Sequence, residues 1–287
     1  MKRVIYSFYI DIPEDELDFF DLNILKKGHT PINVFTKYQF KKNYRELIAC
    51  KQEYADNIKT SFKIFEYDDK YKKYEEHFKN NYPFITTYNI VNFYKIHLLY
   101  ELSKEFDEIL FLDFDVIPIT SDNFFDVWDL NKGICVYQNT HNVKKMESIT
   151  STTQTIRSPT SKYYNAQAML IEKNLNPSNN VINTGIIGIN REHLNKLNYF
   201  NNFDDNLKMM TKLKNNYDIF PKKIVDFFGY DNETLFSVLL KENNVPVQWL
   251  DNQWHYFFDT QGFIPDKTKF VHTINKEFDV VWRKYNA

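Results

Sequence analysis

The sequence predicts an α/β fold, with helices on both faces of a mostly parallel central sheet. Short apolar runs alternate with helical stretches through the first third of the chain. That alternation is the signature of parallel strands joined by crossover helices. The run Ile109-Leu110-Phe111-Leu112 is continuously apolar, as expected of a strand covered on both faces.

Taken in order, Val4 to Ile10 is a first strand. Pro13 with Glu14, Asp15 and Glu16 opens a helix to about Lys27, its carboxylates near the positive end and Gly28 just beyond. Pro31 to Thr36 reads as a second strand, Lys41 to Asp56 as a helix and Ser61 to Tyr67 as a third strand. Thr86 or Thr87 caps a helix reaching about Lys104, with Val91, Tyr94, Leu98, Leu99 and Leu102 on one face. Glu108 to Leu112 follows as the buried strand. Asn139 to Ser161 is rich in Ser, Thr and Asn and reads as a long loop. Val181 to Ile189 is a strand, 191–217 is helical and polar, and Asp231 to Lys241 is a short helix. Val245 to Leu250 and Lys269 to Thr273 are the last strands. No repeat and no linker divides the chain, so 1–287 is read as one domain.

Composition removes several function classes. The 287 residues hold 6 Gly, and no two have the spacing of G-x-G. A dinucleotide-binding turn, a phosphate loop and a nucleophile elbow are therefore absent. Cys50 and Cys135 are too few for a disulfide framework or a four-thiolate metal site. Lys+Arg 36 against Asp+Glu 38 leaves a net charge of −2, which gives no electrostatic footprint for nucleic acid. No apolar run approaches the ~20 residues of a membrane span. The N-terminal Met1-Lys2-Arg3 and the apolar run after it read as a buried strand rather than a signal peptide. A soluble, cytoplasmic protein is expected.

The sharpest feature ends the buried strand: Asp113-Phe114-Asp115. Strand periodicity sets the two carboxylates on one side of the chain, in the crevice where ligands of open α/β sheets bind. Carboxylates converging there repel unless a cation lies between them, and oxygen ligands suit Mg²⁺ or Mn²⁺. Two Asp ending a strand and facing water is the plain alternative. Dehalogenase-type phosphatases also use such a pair, the first Asp being the nucleophile. Here Val116-Ile117 stands where their motif has Gly and a hydroxyl residue, and roughly 100 residues of strand and helix precede it.

An ordered set of motifs resembles the GT-A fold nucleotide-sugar glycosyltransferases, in particular the glycogenin-like and galactosyltransferase-like family 8. It comprises Tyr6-Ser7-Phe8-Tyr9-Ile10-Asp11, Lys95 within Asn92-Phe93-Tyr94-Lys95-Ile96, and Phe111-Leu112-Asp113-Phe114-Asp115. Later come Val181-Ile182-Asn183-Thr184-Gly185-Ile186-Ile187, Asp231-Asn232-Glu233-Thr234-Leu235-Phe236, and Val271-His272-Thr273-Ile274-Asn275-Lys276. Asn232, Phe236 and Asn275 depart from the family's Gln, Asn and Gly. The resemblance implies a GT-A (Rossmann-like) fold, with 1–118 as the nucleotide-binding half and 119–287 as the donor-sugar and acceptor half. It implies a metal, Mn²⁺ or Mg²⁺, on Asp113, Asp115 and His272, and a UDP-sugar donor held by Tyr9, Asp11, Lys95, Asp113 and Lys276. Asn183 and Asp231 would lie at the transferred sugar, which would pass to a hydroxyl acceptor on a glycan, lipid or protein. Trp249, Asp251, Gln253, Trp254, His255 and Tyr256 either hold a sugar ring or are ordinary core aromatics. Two rival functions remain: the phosphatase above, and a non-catalytic sugar- or nucleotide-binding module.

Overall fold

The computed structural model describes residues 1–13, 26–27, 30–150, 158–258 and 263–285. The strands are β1 (Arg3–Tyr9), β2 (Lys26–Lys27), β3 (Thr30–Pro31), β4 (Ser61–Glu66), β5 (Glu108–Leu112), β6 (Val116–Pro118), β7 (Ile134–Gln138), β8 (Ile182–Asn190), β9 (Val247–Trp249), β10 (Tyr256–Phe258) and β11 (Phe270–Thr273). The helices that frame the site are α1 (Ile32–Lys42), α2 (Tyr44–Asn57), α3 (Asp69–Asn81), α4 (Thr87–Ser103), α5 (Ser158–Glu172), α6 (Asn232–Glu242) and α7 (Phe278–Tyr285).

Six strands form the main sheet in the order β4-β1-β5-β8-β7-β9. β1 is parallel to β4 and β5, β7 is parallel to β9, and β8 lies antiparallel between β5 and β7. All strands but β8 therefore point the same way, and the expected mostly parallel sheet is present. Strand alternation sends side chains to opposite faces. Val4, Tyr6, Phe8, Ile109 and Phe111 join one apolar core, with Phe93 and Leu99 of α4 and Leu235 of α6. Ile5, Leu110 and Leu112 join the other, with Tyr54 of α2. Burying both faces of β1 and β5 is what the continuous apolar runs required.

A three-stranded sheet, β10-β11-β6, abuts the first. Its β6 begins right after Asp115, and β11 pairs antiparallel to it with His272 opposite Val116. This pairing carries the C-terminal part of the chain back to the end of β5.

Several expectations change. Residues 32–36 are helical, not a strand. Their β-branched character yields to tertiary packing: α1 turns Phe40 onto Tyr9 and Phe114, at centroid distances of 6.0 and 5.3 Å. The helix expected over 13–27 falls mostly outside the described residues, as does Gly28; Lys26–Lys27 pairs with Thr30–Pro31. The expected loop at 139–161 holds a 3₁₀ turn at Thr140–Asn142, a helix at Met146–Thr150 and the start of α5; residues 151–157 lie outside the description. Helix α3, absent from the expectations, starts where the Asp68 side chain accepts from Tyr71 N at 2.9 Å. No helix among the described residues is long and apolar enough to cross a membrane.

Candidate active site

The Asp113–Asp115 segment is a turn, not the strand continuation assumed from sequence. Asp113 N donates to Gly185 O at 2.7 Å, the last bond toward β8, and Val116 N closes back on Asp113 O at 2.9 Å. The chain then leaves into β6. Lys51 of α2, fully buried, pins this turn from behind by donating to Phe114 O at 2.9 Å and to Leu47 O at 3.1 Å. Burial pushes its ammonium pKa down, while Asp115 and Asp113 act against that. From the other side Thr273 N and Oγ1 both donate to Asp115 O, at 3.0 and 2.8 Å.

The turn and β11 bring Asp113, Asp115 and His272 together, each offering a ligand atom within 4.8 Å of the others. His272 Nε2 lies 3.4 Å from Asp115 Oδ2. Gly185 lines the wall beside it: a Cβ there would stand 2.6 Å from His272 Cε1 and 2.9 Å from Asn183 Oδ1. Two carboxylates, one imidazole and a cradle that only glycine leaves open fit a divalent cation.

Two lysines complete the cluster. Lys95, buried on α4, places Nζ 3.3 Å from Asp113 Oδ1 and 3.4 Å from Thr184 O. Lys276, in left-handed backbone at φ 57°, rests its ammonium on Asp115 Oδ2. An ammonium group thus already sits on one of the two Asp115 oxygens. Burial pushes the Asp115 carboxyl up, but Lys276 and His272 outweigh it and the net shift is down. Asp113 shifts up, because burial and then the Asp115 charge prevail over Lys95.

A second charged cluster adjoins the first across Thr184. Glu233 Oε1 accepts from Thr184 N at 2.7 Å and Thr184 Oγ1 at 3.1 Å, and Oε2 is ion-paired with Lys162 of α5. Asn232 Nδ2 donates to Thr184 Oγ1 at 3.0 Å. Asp231 caps α6, accepting from Thr234 N at 2.9 Å and Thr234 Oγ1 at 2.6 Å. Burial pushes its carboxyl up, only partly opposed by Lys162. Asn183 Oδ1 accepts from Gly185 N at 2.9 Å, so Asn183 stands between the two clusters.

Tyr9 and Asp11 sit at the end of β1. The Tyr9 ring stacks on Phe114, with centroids 4.9 Å apart, which ties it to the turn. Asp11 is held by Lys37 at 3.1 Å and Lys41 at 3.2 Å. Of the sequence-predicted site residues, Asp113, Asp115, His272, Lys95 and Lys276 converge directly. Asn183 joins through Gly185, Asp231 caps the helix whose Asn232 and Glu233 bond to Thr184, and Tyr9 and Asp11 lie at the end of β1. Of the aromatic group at 249–256, Trp254 is core: it packs edge-on against Phe270 and Phe124, at 5.1 and 5.5 Å. Exposed aromatics occur instead at Phe84 and Tyr88, 46% and 66% accessible. Tyr88, Asn92 and Lys95 share a face of α4 by helical spacing. Sequence reasoning missed Lys51 and Lys162, which look like ordinary surface lysines of polar helices.

Solved structures similar to this chain are glycosyltransferases. One is involved in the glycosylation of the major capsid of PBCV-1; it has 13% identity and a TM-score of 0.43, covering 100% of this chain and 98% of that one. Mouse xyloside xylosyltransferase 1 has 13% identity and a TM-score of 0.45, covering 96% and 98%. The galactosyltransferase LgtC, solved with donor and acceptor sugar analogs, has 11% identity and a TM-score of 0.44, covering 94% and 87%. No protein-family model and no curated protein matches the sequence. Overlaps of this size leave the site's own geometry to carry the functional reading.

Proposed function

We propose that the protein is a metal-dependent glycosyltransferase that moves a hexosyl or pentosyl group from a UDP-sugar to a hydroxyl acceptor. The meeting of Asp113, Asp115 and His272 beside two lysines, at the carboxyl end of a central strand, carries this reading. The donor set suits Mn²⁺ or Mg²⁺. When bound, the ion supplies Lewis-acid stabilisation of the charge that grows on the departing diphosphate.

The chain's own residues do the rest. Lys95 is fixed by burial and supplies a standing positive charge facing Asp113. Lys276 supplies a second cation, carried on a turn after β11. The Asn183 carbonyl oxygen is taken by Gly185 N, which leaves its amide N–H groups for a sugar hydroxyl. Asp231 keeps lone pairs beyond its two bonds to Thr234 and is an acceptor for donor-sugar hydroxyls. Tyr9 and Asp11 belong to the nucleoside end. Tyr88 and Phe84 offer aromatic faces where an acceptor sugar would arrive.

Thermal unfolding with UDP, GDP, ADP and CMP, each with and without Mn²⁺, tests the reading. UDP with Mn²⁺ is expected to stabilise most, a ligand at 100 times its Kd adding about 2.7 kcal/mol. A larger shift with GDP moves the donor class elsewhere. Mg²⁺-dependent hydrolysis of an aryl phosphate supports the phosphatase instead. UDP binding with neither sugar transfer nor donor hydrolysis leaves a binding module.

A further inference from the structure

Behind His272 lies a second histidine that the proposed reaction does not use. His255 is fully buried and sets Nε2 2.9 Å from His272 Nδ1. Its ring is wedged between Tyr137 and Phe257, with centroids at 5.0 and 4.5 Å, and its backbone N donates to Asp251 O at 3.0 Å. Its other nitrogen, Nδ1, is buried with no hydrogen-bond partner among the described residues.

Two neutral imidazoles in this contact share one proton, so two arrangements exist. In the first, His255 Nε2–H donates to His272 Nδ1. His272 then carries its own proton on Nε2, toward Asp115 Oδ2 at 3.4 Å, and has no lone pair there for a cation. In the second, His255 carries its own proton on Nδ1, His272 Nδ1–H donates to His255 Nε2, and His272 Nε2 offers its lone pair toward the two carboxylates. We propose that His255 is a positioning residue for a divalent cation: it accepts the Nδ1 proton of His272 and so holds Nε2 as the ligand. This rests on the metal reading above and deepens it.

Charge explains why an imidazole serves here. Metal-ligating histidines commonly give their second N–H to a carboxylate, a carbonyl or water. A third carboxylate beside Asp113 and Asp115 would add to the repulsion that an incoming diphosphate meets, whereas a neutral imidazole accepts the same proton without charge. The His272 ring is thus fixed by His255 at Nδ1 and given room at that edge by Gly185, where a Cβ would stand 2.8 Å from Nδ1.

The test is calorimetric titration of the full-length protein with Mn²⁺ alone. His255→Phe fills the space but accepts no proton; His255→Gln offers a carbonyl oxygen in its place. His255→Phe is expected to weaken Mn²⁺ about 10–100-fold, the range for lost outer partners. His255→Gln is expected to recover most of that, and His255→Phe to have no effect in a His272→Ala background. Unchanged affinity in His255→Phe, or equal weakening with and without His272, overturns the proposal. Should His255→Phe not fold, imidazole ¹⁵N spectra of the unmodified protein with Mg²⁺ decide it. A shared proton on His272 Nδ1 supports the inference, and one on His255 Nε2 overturns it. The metal reading fails differently, by absence of Mn²⁺ binding in the unmodified protein.

Discussion

Thr184 and Gly185 stand between two buried charged clusters that use their carboxylates differently. On the Thr184 side, Glu233 has both oxygens engaged, one by two donors of Thr184 and the other by Lys162. On the Gly185 side, Asp113 has a single lysine at 3.3 Å, and Asp115 carries Lys276 and His272 on one oxygen. Glu233 is saturated within the protein and holds α5 and α6 to β8. Asp113, Asp115 and His272 keep ligand atoms within 4.8 Å of one another. Carboxylates of similar setting thus differ by how many lone pairs are left over: Glu233 has an architectural role, while Asp113 and Asp115 with His272 could hold a metal ion.

The largest effect tests the saturated side. Glu233→Ala leaves Thr184 N and Oγ1 without their acceptor and Lys162, 24% accessible, without its partner; the loss is expected at the low end of the range for buried pairs, about 3 kcal/mol. Denaturant unfolding is expected to show that loss, with part regained when Lys162→Met is added. A loss confined to activity would reverse the assignment of the two clusters.

Next comes the open side. Asp115→Asn keeps shape while removing the ligand charge. Mn²⁺-dependent UDP binding is expected to fall by about 100-fold or more, beyond what an outer partner costs, with unfolding little changed because the isosteric Asn keeps an acceptor oxygen for Lys276. Titration calorimetry and thermal unfolding on one preparation measure both.

Gly185→Ala probes the wall between them. The added Cβ forces His272 or Asn183 aside, and overpacking of this kind costs about 1–3 kcal/mol. Mn²⁺ affinity is expected to fall along with stability, unlike in Asp115→Asn. A variant that binds Mn²⁺ as the parent does would show that His272 has room to spare.

The smallest effect is on pH. Burial raises the Glu233 carboxyl, but Lys162 and Lys95 outweigh it and its pKa lies below the ordinary 4.5. The unfolded chain therefore takes up this proton first as pH falls. The stability Glu233 confers is complete above about 4.5 and drains as pH drops through its lower folded value. Unfolding free energies from pH 6 to 3 are expected to fall less steeply in Glu233→Gln/Lys162→Met. An unaltered acid slope would mean that other carboxylates carry it.

Much of the frame was legible along the chain. The strand at 108–112, the helix capped by Thr86 and the strand before Asn190 follow from local apolar patterning, which needs only neighbours. The strand expected at 31–36 failed because Phe40 packs onto Tyr9 and Phe114, a contact between distant segments that propensity does not record. Trp254 and the exposed Tyr88 show the same limit. Both are aromatic residues with polar neighbours, and only the packing decides which is core and which is exposed.

The sequence by itself determined the alternating architecture, the pair of carboxylates at the end of β5, and the residue types able to bind a cation there. Those properties depend on hydrophobic period and on the chemistry of single side chains. Tertiary structure alone decided that the aspartates meet through a turn, that β11 pairs with β6 to bring His272 beside them, and that Lys51 and His255 stand behind. Thr273 binds the Asp115 carbonyl across 158 residues. Such a contact is set by sheet pairing and burial, whose free energy is shared among many residues and has no local mark in the chain.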